Sequence, residues 1–297
     1  MPGSKLPIYT AFAANVAIAV IKLTAAFITG SSAMVSEGIH SLVDSSNEIL
    51  LLIGLRKSNK APDEKRPFGY GKELYFWSFV VALLFFVLGG TVSVYEGIRH
   101  LLEPEEMKSP VWNYIVLTLA FVFDGYSLYT ALRIFNQQRG STPFWQAIKE
   151  SKDPSSFVVL FEDMADVIGI LIATVGIALS HLFNNPYIDG IASVMIGLLL
   201  MLVALFLVRQ SRSLLMGESL SSEELNKLVS MVEHHEKINS VDARLSMYLG
   251  PEEVILFLKI EFKNNLPGQE IVETIRSIRE AIQQAYPSYK HIHFEPV

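Results

Sequence analysis

The chain has no cysteine, which excludes disulfides, thiolate metal sites and cysteine nucleophiles. Any metal must then be held by His, Asp, Glu or backbone oxygen. Charge is also scarce: 18% of the 297 residues are charged, against about 25% in a soluble globular protein, while 51% are apolar. Basic residues are outnumbered 24 to 30, so the formal charge is -6 and nucleic acid is not an expected partner. Lys5 runs directly into an apolar stretch without a small-residue cleavage site, so no cleaved signal peptide is expected. Mean hydropathy is +0.35. The apolar residues gather into uncharged stretches of about 20, enough to cross a hydrocarbon core of roughly 30 Å. A soluble enzyme is excluded as the main body.

Six spans can be drawn, at about 7–28, 32–55, 74–101, 112–136, 157–181 and 186–208. Thr29-Gly30-Ser31-Ser32 and Asn184-Asn185-Pro186 leave room only for tight turns. Spans one and two, and spans five and six, are therefore expected as antiparallel hairpins packed side by side. Basic residues in short loops set orientation. One side carries Lys5, Arg56, Lys57, Lys60, Lys65, Arg66, Lys72, Arg133, Arg139, Lys149, Lys152, Arg209 and Arg212, and the other only Arg99 and Lys108. Both termini are expected in the cytoplasm, and a bacterial inner (plasma) membrane is the expected location.

Hydropathy falls after Met216-Gly217, dividing a transmembrane domain, 1–215, from a small domain, 216–297. Ser221-Ser222-Glu223-Glu224 signals a helix start, because a Ser cap accepts orphan N–H bonds and early Glu complements the dipole. Val241–Leu249 and Glu252–Phe262 alternate around Gly250-Pro251 as a hairpin should, Pro267–Ala285 has a helical period, and His291–Glu295 alternates like a last strand. The order helix, strand, strand, helix, strand predicts a two-layer α+β unit.

An ionisable side chain inside a span costs roughly 2.5–3.5 kcal/mol even on lenient scales, so each requires a reason. Span two contains Glu37, His40, Asp44 and Glu48, and span five Glu162, Asp163 and Asp166. His40/Asp44 and Glu162/Asp166 are i, i+4 pairs, so each projects from one helix face, one turn apart. Facing one another, they supply one imidazole and three carboxylates, the ligand count for a tetrahedral divalent cation such as Zn²⁺, Co²⁺, Fe²⁺ or Mn²⁺. The plain alternative is that these pairs only fix helix packing. Three carboxylates with one His leave uncompensated negative charge, which demands a cation or protons.

The run Gly30-Ser31-Ser32-Ala33-Met34-Val35-Ser36-Glu37-Gly38-Ile39-His40-Ser41-Leu42-Val43-Asp44 resembles span two of the cation diffusion facilitator (cation efflux) family, where a (His/Asp)xxxAsp pair supplies half the transport site. Phe68-Gly69-Tyr70-Gly71-Lys72 resembles that family's signature before span three, and the ending His-x-His-x-Glu-Pro resembles its small domain. Within the family, the chain is most similar to the branch containing the animal mitochondrial zinc exporter. The resemblance implies a six-transmembrane-helix bundle followed by a ferredoxin-like α+β cytoplasmic domain. It also implies a homodimer that exports a divalent cation, zinc foremost, against protons by alternating access. His40, Asp44, Glu162 and Asp166 would be the metal ligands. The cation is then substrate, and no cofactor is implied.

Glu162 stands where many members have a His, which shifts the donors toward oxygen. Arg66 and Tyr70 stand where some members carry His ligands for a loop site, and Lys259 falls at a strand position that binds metal in others, so the loop site is expected to be missing and the small-domain site, where only His293 and Glu295 match, to be missing or weak. Asp124 is expected to line the cation path or to pair with Lys22, and Glu37 to orient the His40 ring or to be solvated. Asp163 is expected at a neighbouring helix or the cavity mouth, and Asp189 as a helix-start group. Glu233-His234-His235-Glu236 is expected to be a solvated helix end, and Gly89, Gly90 and Gly97 a dimer or bundle seam. A channel and a membrane metalloenzyme are the competing readings. A channel needs several weak sites, and the enzyme an open coordination position, so both fit this cluster less well than an exporter.

Overall fold

A computed structural model describes residues 6–104, 111–264 and 266–297, with side chains from Asn15 onward except Ala243. Lys5 and Lys108 of the charge count lie outside the described residues. Two compact units emerge: Met1–Gly54 with Phe76–Ser211, and Leu55–Tyr75 with Arg212–Val297.

The first unit is helical. α1 (Leu6–Thr29) and α2 (Ser32–Ser58) are joined by Gly30-Ser31, where Gly30 takes φ 72° and its N–H donates to the Ala26 carbonyl at 2.8 Å. A glycine just past a helix end is the cheapest way to reverse the chain. α3 (Lys72–Leu84), a π-helical segment (Phe85–Thr91) and α4 (Val92–Leu102) form one continuous rod. α5 (Val111–Arg139), a short α6 (Phe144–Glu150), α7 (Pro154–Phe183) and α8 (Tyr187–Met216) complete the unit. α7 begins three residues before the apolar run because Asp153 caps it, accepting from Ser155 N at 3.1 Å, with Pro154 pre-set at the first turn. It stops at Asn184, which is left-handed at φ 46°. α8 runs eight residues past the span drawn for it and ends at Met216, before Gly217 at φ 104°. Neither α6 nor the π segment is legible in the sequence: seven residues show no period, and a π turn is one extra residue in an otherwise helical run.

Lys72–Leu102, Val111–Arg139, Pro154–Phe183 and Tyr187–Met216 are long and apolar enough to cross a membrane. Of α1, the stretch Asn15–Thr29 is apolar but shorter. α2 is long enough, but it carries the ionisable residues noted above. Outward faces are apolar, with Phe27 at 92% exposure.

The glycines of the third rod form a seam within the chain, against α8. A Cβ on Gly197 would stand 2.6 Å from Val94 N and 2.8 Å from the Gly90 carbonyl oxygen, and one on Gly97 2.9 Å from the Gly190 oxygen. Gly90 and Gly97, seven apart, thus meet Gly197 and Gly190, seven apart, in an antiparallel register where backbones touch.

In the second unit, α9 (Ser222–Glu233) opens on a capping box: Ser221 Oγ accepts from Glu224 N at 3.2 Å, and Glu224 accepts from Ser221 N at 3.2 Å. β1 (Ile238–Gly250) and β2 (Glu253–Phe262) pair antiparallel, α10 (Gly268–Ala285) crosses over, and β3 (His291–Pro296) pairs parallel to β2. The sheet order is β1-β2-β3. Leu256, Leu258 and Ile260 pack one sheet face onto Leu228, Ile278 and Ile282 of the helices. The predicted element order is therefore observed, with three strands where a complete ferredoxin-like sheet has four. The loop Asn59–Gly71 belongs to this unit. A Cβ on Gly71 would fall 2.4 Å from the Leu249 carbonyl oxygen, so only glycine lets the loop seat on the β1–β2 turn, and Phe68 lies edge-on to His291 at 5.3 Å.

The helix seam gives a stability test. Gly197→Ala drives a methyl into backbone that no rotamer change can clear, and should destabilise the protein by about 1–3 kcal/mol. Gly125→Ala, where a Cβ meets nothing within 4 Å, should be neutral or stabilising by about 0.5–1 kcal/mol. Thermal unfolding of the detergent-solubilised variants measures both.

Candidate metal centre

α2 and α7 face each other across the helical unit. His40 is fully buried, its ring edge-on to Phe85 at 5.2 Å. Its Nδ1 lies 3.1 Å from Asp44 Oδ2, one turn along α2, and its Nε2 lies 3.2 Å from Asp166 Oδ1 on α7. Neither contact has hydrogen-bond geometry; both ring nitrogens, Asp44 Oδ1 and Asp166 Oδ1 have no hydrogen-bond partner among the described residues. Ligand atoms of His40, Asp44 and Asp166 lie within 4.8 Å of one another. Among the described residues, no other three His or carboxylate side chains converge as closely. Three of the four expected ligands thus come together.

Glu162, the fourth, lines the same cavity but stands outside this group. Its Oε1 accepts a hydrogen bond from Asn47 Nδ2 at 2.7 Å. Asn47 escaped the sequence reading, although its signal was present: a polar amide in a span, three residues after Asp44 and so on nearly the same face.

A cavity of about 200 Å³ opens beside the cluster, lined by Asp44, Glu48, Asp124, Glu162, Asp163 and Asp166 with Asn15, Ser41 and Ser127. Asn15 donates to Glu48 at 2.7 Å, and Ser127 donates to Asp163 at 2.9 Å, which places Asp163 on the cavity wall toward α5. Lys22 is fully buried, with Nζ 3.1 Å from Glu37 Oε2, 2.9 Å from Ser41 Oγ and 3.7 Å from Asp124 Oδ2. Asp124 therefore both lines the cavity and pairs with Lys22. Glu37 neither orients the His40 ring nor meets solvent; it is the buried partner of Lys22. Depth could have revealed this, since Lys22 and Glu37 lie eight and seven residues either side of Gly30 in an antiparallel hairpin.

Asp189 is a helix-start group, but for α2: its carboxylate accepts from Ser31 Oγ at 2.8 Å and from the backbone N–H groups of Ser32 and Ala33. Asp63 accepts from Tyr70 at 2.6 Å and from Lys65 N and Arg66 N, and so organises its loop. His293 stacks on Phe257 at 4.8 Å, and His291 lies 3.6 Å from Glu253. Glu233 accepts from Val241 N at 3.2 Å, tying the α9 end to β1.

Residues 8–216 match the cation efflux transmembrane domain. The chain belongs to the cation efflux family. Proton-coupled zinc antiporter SLC30A9, mitochondrial, of Mus musculus is 33% identical over 255 residues, 85% of this chain and 45% of that protein. Metal tolerance protein C4 of Arabidopsis thaliana is 28% identical over 274 residues, 91% of this chain and 59% of that protein. Manganese efflux system protein MneP of Bacillus subtilis (strain 168) is 24% identical over 298 residues, 96% of this chain and 94% of that protein. The chain spans about half the length of the zinc antiporter it matches.

The Lys22 ion pair yields its own test. Lys22→Met leaves Glu37 buried and unpaired, which should cost about 3–5 kcal/mol. Adding Glu37→Met removes the orphaned charge and should restore most of that loss. Thermal unfolding of the two variants beside wild type decides it.

Proposed function

We propose that this cation efflux protein exports a divalent transition-metal cation from the cytoplasm in exchange for protons by alternating access. Zinc is the first substrate, with cobalt, iron and manganese as the other candidates. The observation that carries the reading is the His40–Asp44–Asp166 cluster. A neutral imidazole has one N–H and one lone pair. With a carboxylate oxygen about 3 Å from each ring nitrogen, the lone-pair side faces an anion. Either a second proton on the ring or a cation between the groups removes that repulsion. Two interchangeable occupants of one buried site are what an exchanger requires, because metal binding needs deprotonated ligands and releases protons.

Glu162 completes the set on this reading, swinging an oxygen toward the other three to give four donors. Six crossings follow if α1 and α2 join the four apolar rods, α2 being polar because it carries the site. The cytoplasmic side is then the one with Arg56, Lys57, Lys60, Lys65, Arg66, Arg139, Lys149 and Lys152. The membrane is a bacterial inner one on this reading, in line with the near full-length similarity to a Bacillus protein. Residues 216–297 form a ferredoxin-like variant that supports a homodimer. Leu245 and Phe257, 69% and 44% exposed on the sheet face away from Leu256 and Leu258, supply an apolar surface for it. The name of the mouse relative supports zinc and proton coupling, and that of the Bacillus relative supports manganese as a competitor.

Flux into proteoliposomes tests the site. Asp44→Ala and Asp166→Ala should each lower zinc flux to the level of empty vesicles while the protein remains folded; wild-type flux in either would sink the assignment. Dissipating the pH gradient should halt accumulation in the wild type. Glu162→His adds a second imidazole and should raise zinc transport relative to manganese. An unchanged ratio would remove Glu162 from the ligand set.

A further inference from the structure

Asn47 is fully buried on α2, three residues after Asp44. α2 and α7 run antiparallel and meet at two levels. At one, His40 Nε2 faces Asp166 Oδ1 at 3.2 Å; one to two turns on, Asn47 Nδ2 donates to Glu162 Oε1 at 2.7 Å. Asp44 projects between the two. Asn47 Oδ1 is buried and has no hydrogen-bond partner among the described residues. An amide held by one arm, with the other idle, has no packing reason to be polar: a leucine fills nearly the same space without burying an unmet acceptor. Its one evident task is to hold Glu162.

We infer that Asn47 is a positioning residue that makes Glu162 a one-oxygen ligand and thereby favours four-coordinate cations. The inference rests on the proposed role of Glu162 as a ligand. A carboxylate with both oxygens free can grip a cation in bidentate fashion, as the larger oxygen-bound cations with six or more ligands require. The Asn47 amide takes one lone pair of Oε1 and fixes that oxygen toward α2, so Oε2 is the oxygen freer to reach the cation. One nitrogen and three single oxygens make a four-coordinate shell, which suits Zn²⁺ and Co²⁺ better than Mn²⁺. Polar groups behind metal ligands typically shift metal affinity by about 10–100-fold when removed.

The experiment uses the full chain in proteoliposomes, with Asn47→Leu as the near-isosteric variant and Asn47→Ala as the second. Zinc KM should rise about 10–100-fold while manganese changes far less, so the zinc-to-manganese ratio of kcat/KM falls at least about tenfold. Co²⁺ bound to the purified variant should lose its intense four-coordinate visible bands and show the weaker bands of a higher coordination number. In a Glu162→Ala background, Asn47→Leu should leave the Co²⁺ spectrum unchanged, because its target is gone. Equal losses for zinc and manganese, an unchanged cobalt spectrum in the single variant, or a further spectral change in that background would overturn the inference. Those outcomes leave the ligand reading intact so long as Glu162→Ala itself abolishes zinc flux. An inert Glu162→Ala overturns both.

Discussion

Everything in the helical unit answers to one electrostatic constraint: carboxylates buried among apolar helices must be neutralised where they stand. Asp44 and Asp166 flank a single imidazole, and Glu162, Asp124, Asp163 and Glu48 line the adjoining cavity. Each carboxylate is therefore met singly, by Asn47, Ser127, Asn15 or Lys22. What remains without a fixed partner is the centre itself, the His40 ring nitrogens with Asp44 Oδ1 and Asp166 Oδ1.

Such a site needs a rigid frame, and the frame is built from backbone contact. The Gly90–Gly197 and Gly97–Gly190 approaches lock the π-helical segment and α4 to α8 with no side chains between. Asp189 fastens the start of α2 to α8, and the Ser36 and Ser193 hydroxyls bond at 2.6 Å one turn on. α2 thus presents His40, Asp44 and Asn47 from a helix fixed at its entry, while Lys22 pins its middle to α1. The proposed ligands on α2 therefore sit on a helix held from several directions.

Much of this was legible in residue spacing. The hairpin turns, both i, i+4 pairs, the end of hydropathy at Met216 and the order of elements in the small domain all rest on local rules, which the sequence carries directly. The partners were harder. Glu37 was read against His40, its neighbour one turn on, whereas depth in the hairpin pairs it with Lys22 on another helix. Asn47 went unread because a lone amide has no period or motif. The glycine seam was recognised as a close contact, but its partner α8 could be found only from the matching seven-residue interval at Gly190 and Gly197. The π segment and α6 depend on tertiary packing, to which composition is blind.

Gly71 resting on the Leu249 carbonyl has a consequence for how the molecule is made. The loop leaves the ribosome 178 residues ahead of the turn that receives it, a lag of about 10–40 s at ordinary elongation rates. The second and third helices must therefore form with their connection unseated. The helices emerge first, and their short loop is clasped only when the β1–β2 turn has been synthesised, so assembly closes from the tail back toward the head.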